Sequence, residues 1–252
     1  MIPELGQLAS FTPDPETLAL GKVVGFNSRD INSRPFNLLR SQVARRMKAQ
    51  GWKLIGVTSA TPNAGKSFLS ANLAAALSQL SDTRVYLFDL DLRRATLAKV
   101  FGLAGEQGVS EYLEAKIPSI GAVGVKVEPS ELGLFPAYPA YVDSAELFVA
   151  QPFHDLIADM RALPADAIVI CDLPPVFAND DAMLISAKLD AYLLVVEDGV
   201  TTKKQVRDSM RLLAPTPCLG TVLNRYNGGF GDDYGYGYGK YERYYHKSEK
   251  SE

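Results

Sequence analysis

The chain reads Val57-Thr58-Ser59-Ala60-Thr61-Pro62-Asn63-Ala64-Gly65-Lys66-Ser67-Phe68 between two apolar runs, residues 54–57 and 69–80. A strand, a tight loop and a helix in this order form the frame of a phosphate-binding loop. Gly65 lets the backbone approach a phosphate, Lys66 supplies a cation for the β- and γ-phosphates, and Ser67 offers a hydroxyl to Mg²⁺. The usual pattern has a glycine five residues before Gly65, where this chain has Ala60, so the motif is a deviant one.

Two acidic motifs follow, each at the end of another apolar run. Asp89 and Asp91 close the run at residues 84–88, and Asp172 closes the run at residues 167–171. Taken separately they have simpler interpretations, since the pair could be a helix N-cap with a solvated acid and Asp172 a turn residue before two prolines. Combined with the phosphate loop they form the smallest set of side chains that binds Mg·ATP. We therefore predict nucleotide binding, with ATP and Mg²⁺ as cofactors.

Strand-like and helical segments alternate along the chain, which predicts a doubly wound, mostly parallel α/β sheet of the P-loop NTPase class. Ligands of such sheets bind at the carboxyl ends of the strands, which is where all three motifs lie. The predicted strands are residues 53–58, 84–93 with their acidic end, 132–135, 167–171, 191–196 and 218–223. The predicted helices are residues 34–50, 66–80, 94–115, 144–163, 181–187 and 201–213.

The two ends of the chain differ in composition from its middle. Residues 1–33 contain several Pro, Gly and Ser and are predicted to be a loosely ordered arm that packs on the domain or on a neighbour. Residues 34–226 are the predicted nucleotide-binding domain. Residues 227–252 lack aliphatic side chains and alternate Gly with Tyr, which predicts a disordered tail. Six of the 12 tyrosines lie there, namely Tyr234, Tyr236, Tyr238, Tyr241, Tyr244 and Tyr245.

Composition excludes several classes of function. A net charge of −3 and a pI of about 5.5 do not favour broad binding to nucleic acid. No stretch approaches the roughly 20 apolar residues of a membrane span, and the N-terminus has no signal-peptide layout. Cys171 and Cys218 fall in apolar runs, as expected for buried, reduced thiols in a reducing cytosol. These features predict a soluble, cytoplasmic protein without direct membrane insertion.

The motifs resemble those of bacterial tyrosine kinases, the cytoplasmic kinases of capsular and exopolysaccharide synthesis. Thr58-Ser59-x-x-Pro62-x-x-Gly65-Lys66-Ser67 is similar to their Walker A motif. Phe88-Asp89-Leu90-Asp91-Leu92-Arg93 and Ile170-Cys171-Asp172-Leu173-Pro174-Pro175 are similar to their A′ and B motifs. The resemblance covers roughly residues 34–245 and ends in a tyrosine cluster, which that family carries as its autophosphorylation site. It implies a P-loop fold related to the partition ATPases.

The resemblance implies a role for each site residue, and these roles agree with the chemistry of phosphoryl transfer. Lys66 would neutralise the phosphates, Asp91 would accept the tyrosine proton, and Arg93 would support the γ-phosphate or the A′ loop. The implied Mg²⁺ ligands, direct or through water, are Ser67, Asp89 and Asp172. The implied nucleotide contacts are Pro62, Asn63, Ala64, Gly65, Lys66, Ser67, Phe68 and Asn224. For Asn224, which would contact the base, a turn or C-cap role is the simpler alternative.

Two departures from the family pattern concern assembly and the loop. The family's Glu-x-x-Arg-x-x-Arg helix motif, used between subunits of its ring, keeps only Arg40 here, and Arg34 reverses the charge of its first position. Asn63-Ala64 replaces a glycine and an acid in the phosphate loop.

The resemblance further implies a homo-oligomer and a membrane-embedded activator of the polysaccharide copolymerase type, on a separate chain. That activator would hold the protein at the inner face of the plasma membrane.

The predicted function is an ATP-dependent protein-tyrosine autokinase that phosphorylates its own C-terminal cluster, mainly in trans, and regulates exopolysaccharide polymerisation and export. One alternative is an ATPase switch of the partition or division-site type. Two features argue against it: the chain has a tyrosine cluster, and it has Thr61 at the position where those ATPases carry a lysine. Another alternative is a regulatory nucleotide-binding subunit without catalysis. The intact set of Asp89, Asp91 and Asp172 argues against it. The tail itself could also be a low-complexity segment that is never phosphorylated.

Overall fold

The computed structural model of the protein describes residues 1–139 and 144–226, which form one eight-stranded sheet with helices on both faces. The strands are β1 (Ala9–Phe11), β2 (Leu54–Ser59), β3 (Arg84–Asp89), β4 (Val125–Val127), β5 (Leu132–Phe135), β6 (Ala167–Asp172), β7 (Ala191–Glu197) and β8 (Cys218–Asn224). The α-helices within the described residues are α1 (Pro15–Leu20), α2 (Arg34–Gln50), α3 (Lys66–Leu77), α4 (Leu97–Phe101), α5 (Val109–Leu113), α6 (Ser144–Val149), α7 (Gln151–Ala162), α8 (Asp181–Ser186) and α9 (Lys203–Leu212).

The strand order is β1-β4-β5-β3-β6-β2-β7-β8. The strands from β5 to β8 in this order all run parallel, whereas β4 is antiparallel to β5 and β1 is parallel to β4. This confirms the predicted doubly wound, mostly parallel sheet. The strands β2, β3 and β6 lie at its centre, and the register places Asp172 beside both Asp89 and Val57. The carboxyl ends that carry the acidic motifs and the phosphate loop therefore meet at one edge.

Side chains of the central strands alternate between two hydrophobic layers, because successive residues of a strand point to opposite faces of the sheet. Val57 and Leu87 face the layer that packs against α2 and α3, where Val43 of α2 is fully buried. Tyr86 and Phe88 face the opposite layer, which packs against α7. These two layers hold the central strands rigid, so that the loops at their carboxyl ends start from fixed positions.

The N-terminal segment is part of the sheet, which differs from the loosely ordered arm expected from the sequence. The strand β1 pairs with β4, with Ser10 opposite Lys126. Ahead of it, Ile2, Leu5 and Leu8 are buried in the layer that also contains Phe88. The segment is ordered because these three aliphatic side chains cover the end of the core next to β5. Neither β1 nor β4 was predicted, since each has only three residues and its pairing is non-local.

Two predicted helices are each split in the structure. The segment 94–115 contains α4 and α5, because Gly102 with φ of +75° ends α4 in the left-handed conformation. The segment 144–163 contains α6 and α7, and Pro152 lies in the first turn of α7. Proline fits there because a first-turn residue needs no N–H partner, and it cannot continue a preceding helix.

Other predictions concern the thiols, the tail and the membrane. Cys171 is buried, Cys218 is half-buried, and both are free thiols. Burial raises the pKa of the Cys171 thiol, which keeps it protonated and unreactive.

In the part of the chain that the structure describes, no helix has the length and apolar character needed to cross a bilayer. The six tyrosines of the tail, and the tail boundary at residue 227, lie outside the described residues and stay predictions.

Candidate functional site

The phosphate loop makes a tight turn from β2 into α3. Asn63 and Gly65 have φ of +66° and +94°, in the left-handed region that glycine adopts most easily. A Cβ on Gly65 would lie 2.1 Å from Nδ2 of Asn224, so a larger residue does not fit there. Asn224, at the end of β8, donates from Nδ2 to the carbonyl of Ala64 at 2.8 Å. The predicted nucleotide-contacting asparagine thus holds the loop in place.

Lys66 is buried and lies between two carboxylates. Its Nζ is 2.6 Å from Oδ2 of Asp91 and 3.5 Å from Oδ2 of Asp172. Burial lowers the pKa of Lys66, but attraction by Asp172 and Asp91 outweighs it, and the pKa lies above its ordinary value. Lys66 therefore keeps a positive charge at the mouth of the loop.

Asp172, at the end of β6, is bound by two hydroxyls of α3. Ser67 Oγ donates to Oδ2 at 2.5 Å, and Ser70 Oγ donates to Oδ1 at 2.9 Å. Burial raises the pKa of Asp172 above its ordinary value, against the opposing effects of Lys66 and the Ser67 hydroxyl. Ser70 was not predicted, although it lies on the same face of the helix as Lys66, four residues later. This helical spacing is the signal that could have revealed it.

Asp89 is fully buried next to Asp172 and holds the loop that follows β3. Its Oδ2 accepts the N–H of Leu97 at 3.0 Å, and its Oδ1 accepts the N–H of Asp91 at 3.3 Å. Burial and then repulsion by Asp172 raise the pKa of Asp89 well above its ordinary value. The structure thus gives Asp89 a clear positioning role, because its hydrogen bonds set the place of Asp91 opposite Lys66.

The two neighbouring arginines of this loop point in different directions. Arg93 donates from Nε to Ser144 Oγ at 3.0 Å, and that hydroxyl donates to Oδ2 of Asp181 at 2.6 Å. Arg94 instead faces the phosphate loop and donates to Oδ1 of Asn63 at 2.8 Å. The resemblance implied that Arg93 supports either the γ-phosphate or the A′ loop. Its contacts agree with the second role, since they tie the loop to α6 and α8, and Arg94 lies beside the phosphate loop.

A cleft of about 300 Å³ lies over the phosphate loop. It is lined by Pro62, Asn63, Gly65, Lys66, Ser67, Phe68, Asp91, Arg94, Thr96, Pro175 and Arg225. Seven of these residues were predicted, whereas Arg94, Thr96, Pro175 and Arg225 were not. Arg225 follows the last strand and pairs with Glu197 Oε1 at 2.6 Å. The rule that ligands bind at strand carboxyl ends could have revealed Arg225 and Pro175, each of which follows a strand end.

The residues in and beneath the cleft fit a magnesium nucleotide. Ser67 lines the cleft, and Asp172 and Asp89 are fully buried behind it, so that a hydroxyl and two carboxylates, the hard oxygen donors that Mg²⁺ prefers, lie together. Gly65 leaves the turn free of a side chain, so that backbone N–H groups can approach phosphates. Within the described residues, Oδ2 of Asp91 has no hydrogen-bonding partner apart from its ion pair with Lys66, which leaves it free to accept another donor.

Comparison with known proteins agrees with this geometry. Residues 55–233 match the CobQ/CobB/MinD/ParA nucleotide binding domain. The chain belongs to this family. Tyrosine-protein kinase YwqD of Bacillus subtilis (strain 168) is 29% identical to it over 221 residues, which are 87% of this chain and 91% of YwqD. Tyrosine-protein kinase etk of Escherichia coli (strain K12) is 32% identical over 206 residues, which are 79% of this chain but only 27% of etk.

The solved kinase domain of Escherichia coli tyrosine kinase ETK has the same fold. It superposes with a TM-score of 0.71 at 28% identity, over 81% of this chain and 80% of the solved one. The resemblance to bacterial tyrosine kinases and the P-loop fold related to partition ATPases are thereby confirmed. Nucleotide binding is the property that the matched family shares by its description.

Proposed function

We propose that the protein is an ATP-dependent protein-tyrosine kinase that phosphorylates its own C-terminal tyrosines, mainly between subunits. The observation that carries this proposal is the pair formed by Lys66 Nζ and Asp91 Oδ2, 2.6 Å apart on the wall of the cleft. A cation for phosphates and a carboxylate that can accept a hydroxyl proton thus share one opening. The names of the relatives as tyrosine-protein kinases support the same activity.

In the proposed mechanism, every side chain except Lys66 acts from the position it already has. Bound Mg·ATP would supply the phosphoryl group and further neutralise its charge. Ser67 and Asp172, with Asp89 behind them, would hold Mg²⁺, and the N–H groups of residues 63–67 would bind the phosphates. Lys66 would turn from Asp91 to these phosphates, which frees the carboxylate to accept the tyrosine proton. Alignment and charge stabilisation carry most of such a reaction, so an ordinary carboxylate suffices.

The proposed substrates are Tyr234, Tyr236, Tyr238, Tyr241, Tyr244 and Tyr245. Because each phosphate adds about −1.5 to −2 charges, several of them repel one another and any acidic docking surface. Phosphorylation would therefore weaken the assembly of a tail with the active site of a neighbouring copy. This effect would make the phosphorylation state a control on oligomerisation.

The proposed partners are other copies of the chain and a membrane-embedded activator of the polysaccharide copolymerase type, which places the kinase at the inner face of the plasma membrane. Arg40, the arginine that the chain retains from the family's subunit-interface motif, is relevant to the oligomer. Its guanidinium donates to the carbonyl of Ala76 at 3.1 Å, inside the domain. We therefore propose a subunit interface that differs from the one that the family motif builds. Regulation of exopolysaccharide polymerisation and export remains the proposed biological role.

Intact-mass measurement after incubation with Mg·ATP tests the kinase activity. We expect a ladder of steps of about 80 Da, one for each phosphoryl group. The ladder should disappear in Lys66→Met and in a variant with the six tail tyrosines changed to Phe. It should persist in Lys48→Met, which removes an exposed lysine in the last turn of α2, at the opposite end of β2 from the phosphate loop. ATP hydrolysis without any ladder, even with the activator's cytoplasmic segment added, would contradict the kinase and favour an ATPase switch.

A further inference from the structure

A second concave surface lies on α9, separate from the nucleotide cleft. It is a groove of about 340 Å³ beside the end of β7, lined by Val196, Thr201, Lys203, Val206, Arg207 and Met210. Its floor is apolar, since Val196, Val206 and Met210 are half-buried against the small core cluster around Tyr192 and Leu194. Its rim is basic. We call this surface the α9 groove.

The charge of the groove comes from a stripe of basic side chains. Lys203, Arg207 and Arg211 are exposed and follow one another at intervals of four residues, which places them on one face of α9. In the described ranges 1–139 and 144–226, none of the three forms an ion pair. The one carboxylate of the helix, Asp208, bonds to Lys204 at 2.7 Å, and this bond, followed by weaker attraction to Arg211 and Arg207, lowers the pKa of Asp208. The stripe therefore presents positive charge to solvent.

The described chain ends close to this groove. The N–H of Asp198 donates to the carbonyl of Asn224 at 3.0 Å, and Arg225 pairs with Glu197, so the end of β8 lies against the β7–α9 turn. Eight further residues lead from position 226 to Tyr234 and can span at most about 26–29 Å. The basic stripe is only about 12 Å long, at 1.5 Å of helix rise per residue. The first tail tyrosines can therefore reach every part of the groove.

The charge of the tail depends on its phosphorylation. Residues 227–252 carry five acidic and four basic side chains, so the unmodified tail is almost neutral. Residues 232–238 contain two aspartates and three tyrosines and no basic residue. Each phosphotyrosine in this part adds about −1.5 to −2 charges and three acceptor oxygens. Phosphorylation thus converts the nearest part of the tail into a strongly anionic peptide with aromatic rings.

We propose that the phosphorylated tail docks in cis in the α9 groove of its own chain; this rests on the proposed tyrosine phosphorylation. The phosphates pair with Lys203, Arg207 and Arg211, and arginine binds phosphate through two parallel hydrogen bonds. The tyrosine rings lie on Val206 and Met210, since thioethers pack well against aromatic rings. A docked tail is withdrawn from the active site of a neighbouring copy. Phosphorylation would thereby end the contact between copies in which the tail was phosphorylated.

A synthetic peptide separates this docking from the kinase activity. The full chain with the six tail tyrosines changed to Phe is titrated with a fluorescent peptide of residues 230–240 that carries phosphate on Tyr234, Tyr236 and Tyr238. We expect the phosphopeptide to bind at least about tenfold more tightly than the unphosphorylated peptide. The triple variant Lys203→Glu/Arg207→Glu/Arg211→Glu should lose at least about tenfold in affinity for it.

The matched control carries the same change of charge elsewhere. Lys22→Glu/Arg29→Glu/Lys99→Glu reverses three exposed basic residues away from α9 and should change the affinity by less than about twofold. Equal losses in both triple variants would show attraction by net charge alone and overturn the proposal. Absence of phosphopeptide binding, or binding only to phosphatidylserine vesicles, would overturn it as well. Because the peptide is phosphorylated by synthesis, a missing mass ladder would refute the kinase activity without affecting this result.

Discussion

At the residue scale, the ion pairs of Lys66 determine what a nucleotide must displace. The ammonium group is shared between Asp91 at 2.6 Å and Asp172 at 3.5 Å, and all three side chains are buried. Phosphates that enter the cleft compete with Asp91 for the same cation. They also approach a buried negative carboxylate, which raises the electrostatic cost of binding. We therefore expect Asp91 to oppose nucleotide binding, although the proposed mechanism needs it for phosphoryl transfer.

Replacing Asp91 with Asn should separate these two effects. We expect Asp91→Asn to bind ADP about three- to tenfold more tightly, because Lys66 loses its competing carboxylate, and to lose tail phosphorylation. Titration with a fluorescent ADP analogue measures the first effect, and intact mass measures the second. Asp82→Asn, which makes the same change in an exposed turn, should leave both unchanged. Weaker ADP binding by Asp91→Asn would show instead that Asp91 helps to hold the nucleotide.

At the scale of the elements, one carboxylate joins three parts of the fold. Asp190, just before β7, accepts the N–H groups of Lys53 and Leu54 with Oδ2, at 2.8 and 2.9 Å. Its Oδ1 accepts from Arg161 of α7 at 3.0 Å. Asp190 thus fixes the start of β2, the strand that leads into the phosphate loop. Burial raises the pKa of Asp190, but the two backbone N–H groups and Arg161 outweigh it, and the pKa lies below its ordinary value.

Asp190→Ala should lower the free energy of unfolding by about 2–3 kcal/mol at pH 7, because it leaves three donors without their acceptor. A lowered pKa means that this stabilisation is fully present above the ordinary carboxyl pKa of about 3.9 and is lost as the pH falls through the folded-state value. The difference between Asp190→Ala and the parent chain should therefore shrink in acid. Urea unfolding at pH 7 and pH 3.5 measures it.

The control for this prediction is the carboxylate of a surface ion pair on a helix. Asp208→Ala removes the ion pair between Lys204 and Asp208, which are four residues apart on α9. Such exposed pairs contribute only about 0.3–0.5 kcal/mol, so we expect a much smaller loss of stability than in Asp190→Ala. Equal losses in the two variants would show that the hydrogen bonds of Asp190 add nothing beyond an exposed ion pair.

At the scale of the whole molecule, the N-terminal segment completes the hydrophobic core. Leu5 is 2% exposed and belongs to the layer formed by Phe88 and Phe135. Leu5→Ala should lower the free energy of unfolding by about 2–4 kcal/mol, through lost burial and the cavity that remains. Leu20→Ala, at a position that is 85% exposed, should change it by less than about 0.5 kcal/mol. A loosely ordered arm would make the two variants equivalent, and denaturant unfolding distinguishes these outcomes.

The structure brings together the predicted site residues whose placement depended on strand ends. Lys66, Ser67, Asp91 and Asp172 meet because parallel strands place their carboxyl ends at one edge, whatever the details of packing. The sequence left the direction of the side chains in the loop after β3 open. Arg93 and Arg94 have the same chemistry, and only the hydrogen bonds of that loop decide which one faces the phosphate loop.

The sequence by itself determined the sheet class, the phosphate loop and the acids around it, because these follow from local patterns of apolar runs, glycine and charge. Only the tertiary structure decided three other features: the place of β1 beside β4, the direction of Arg94, and the position of Arg225 at the cleft. The physical reason is the same for all three. Each depends on contacts between residues far apart in the chain. These contacts form only when the folded core brings the residues together.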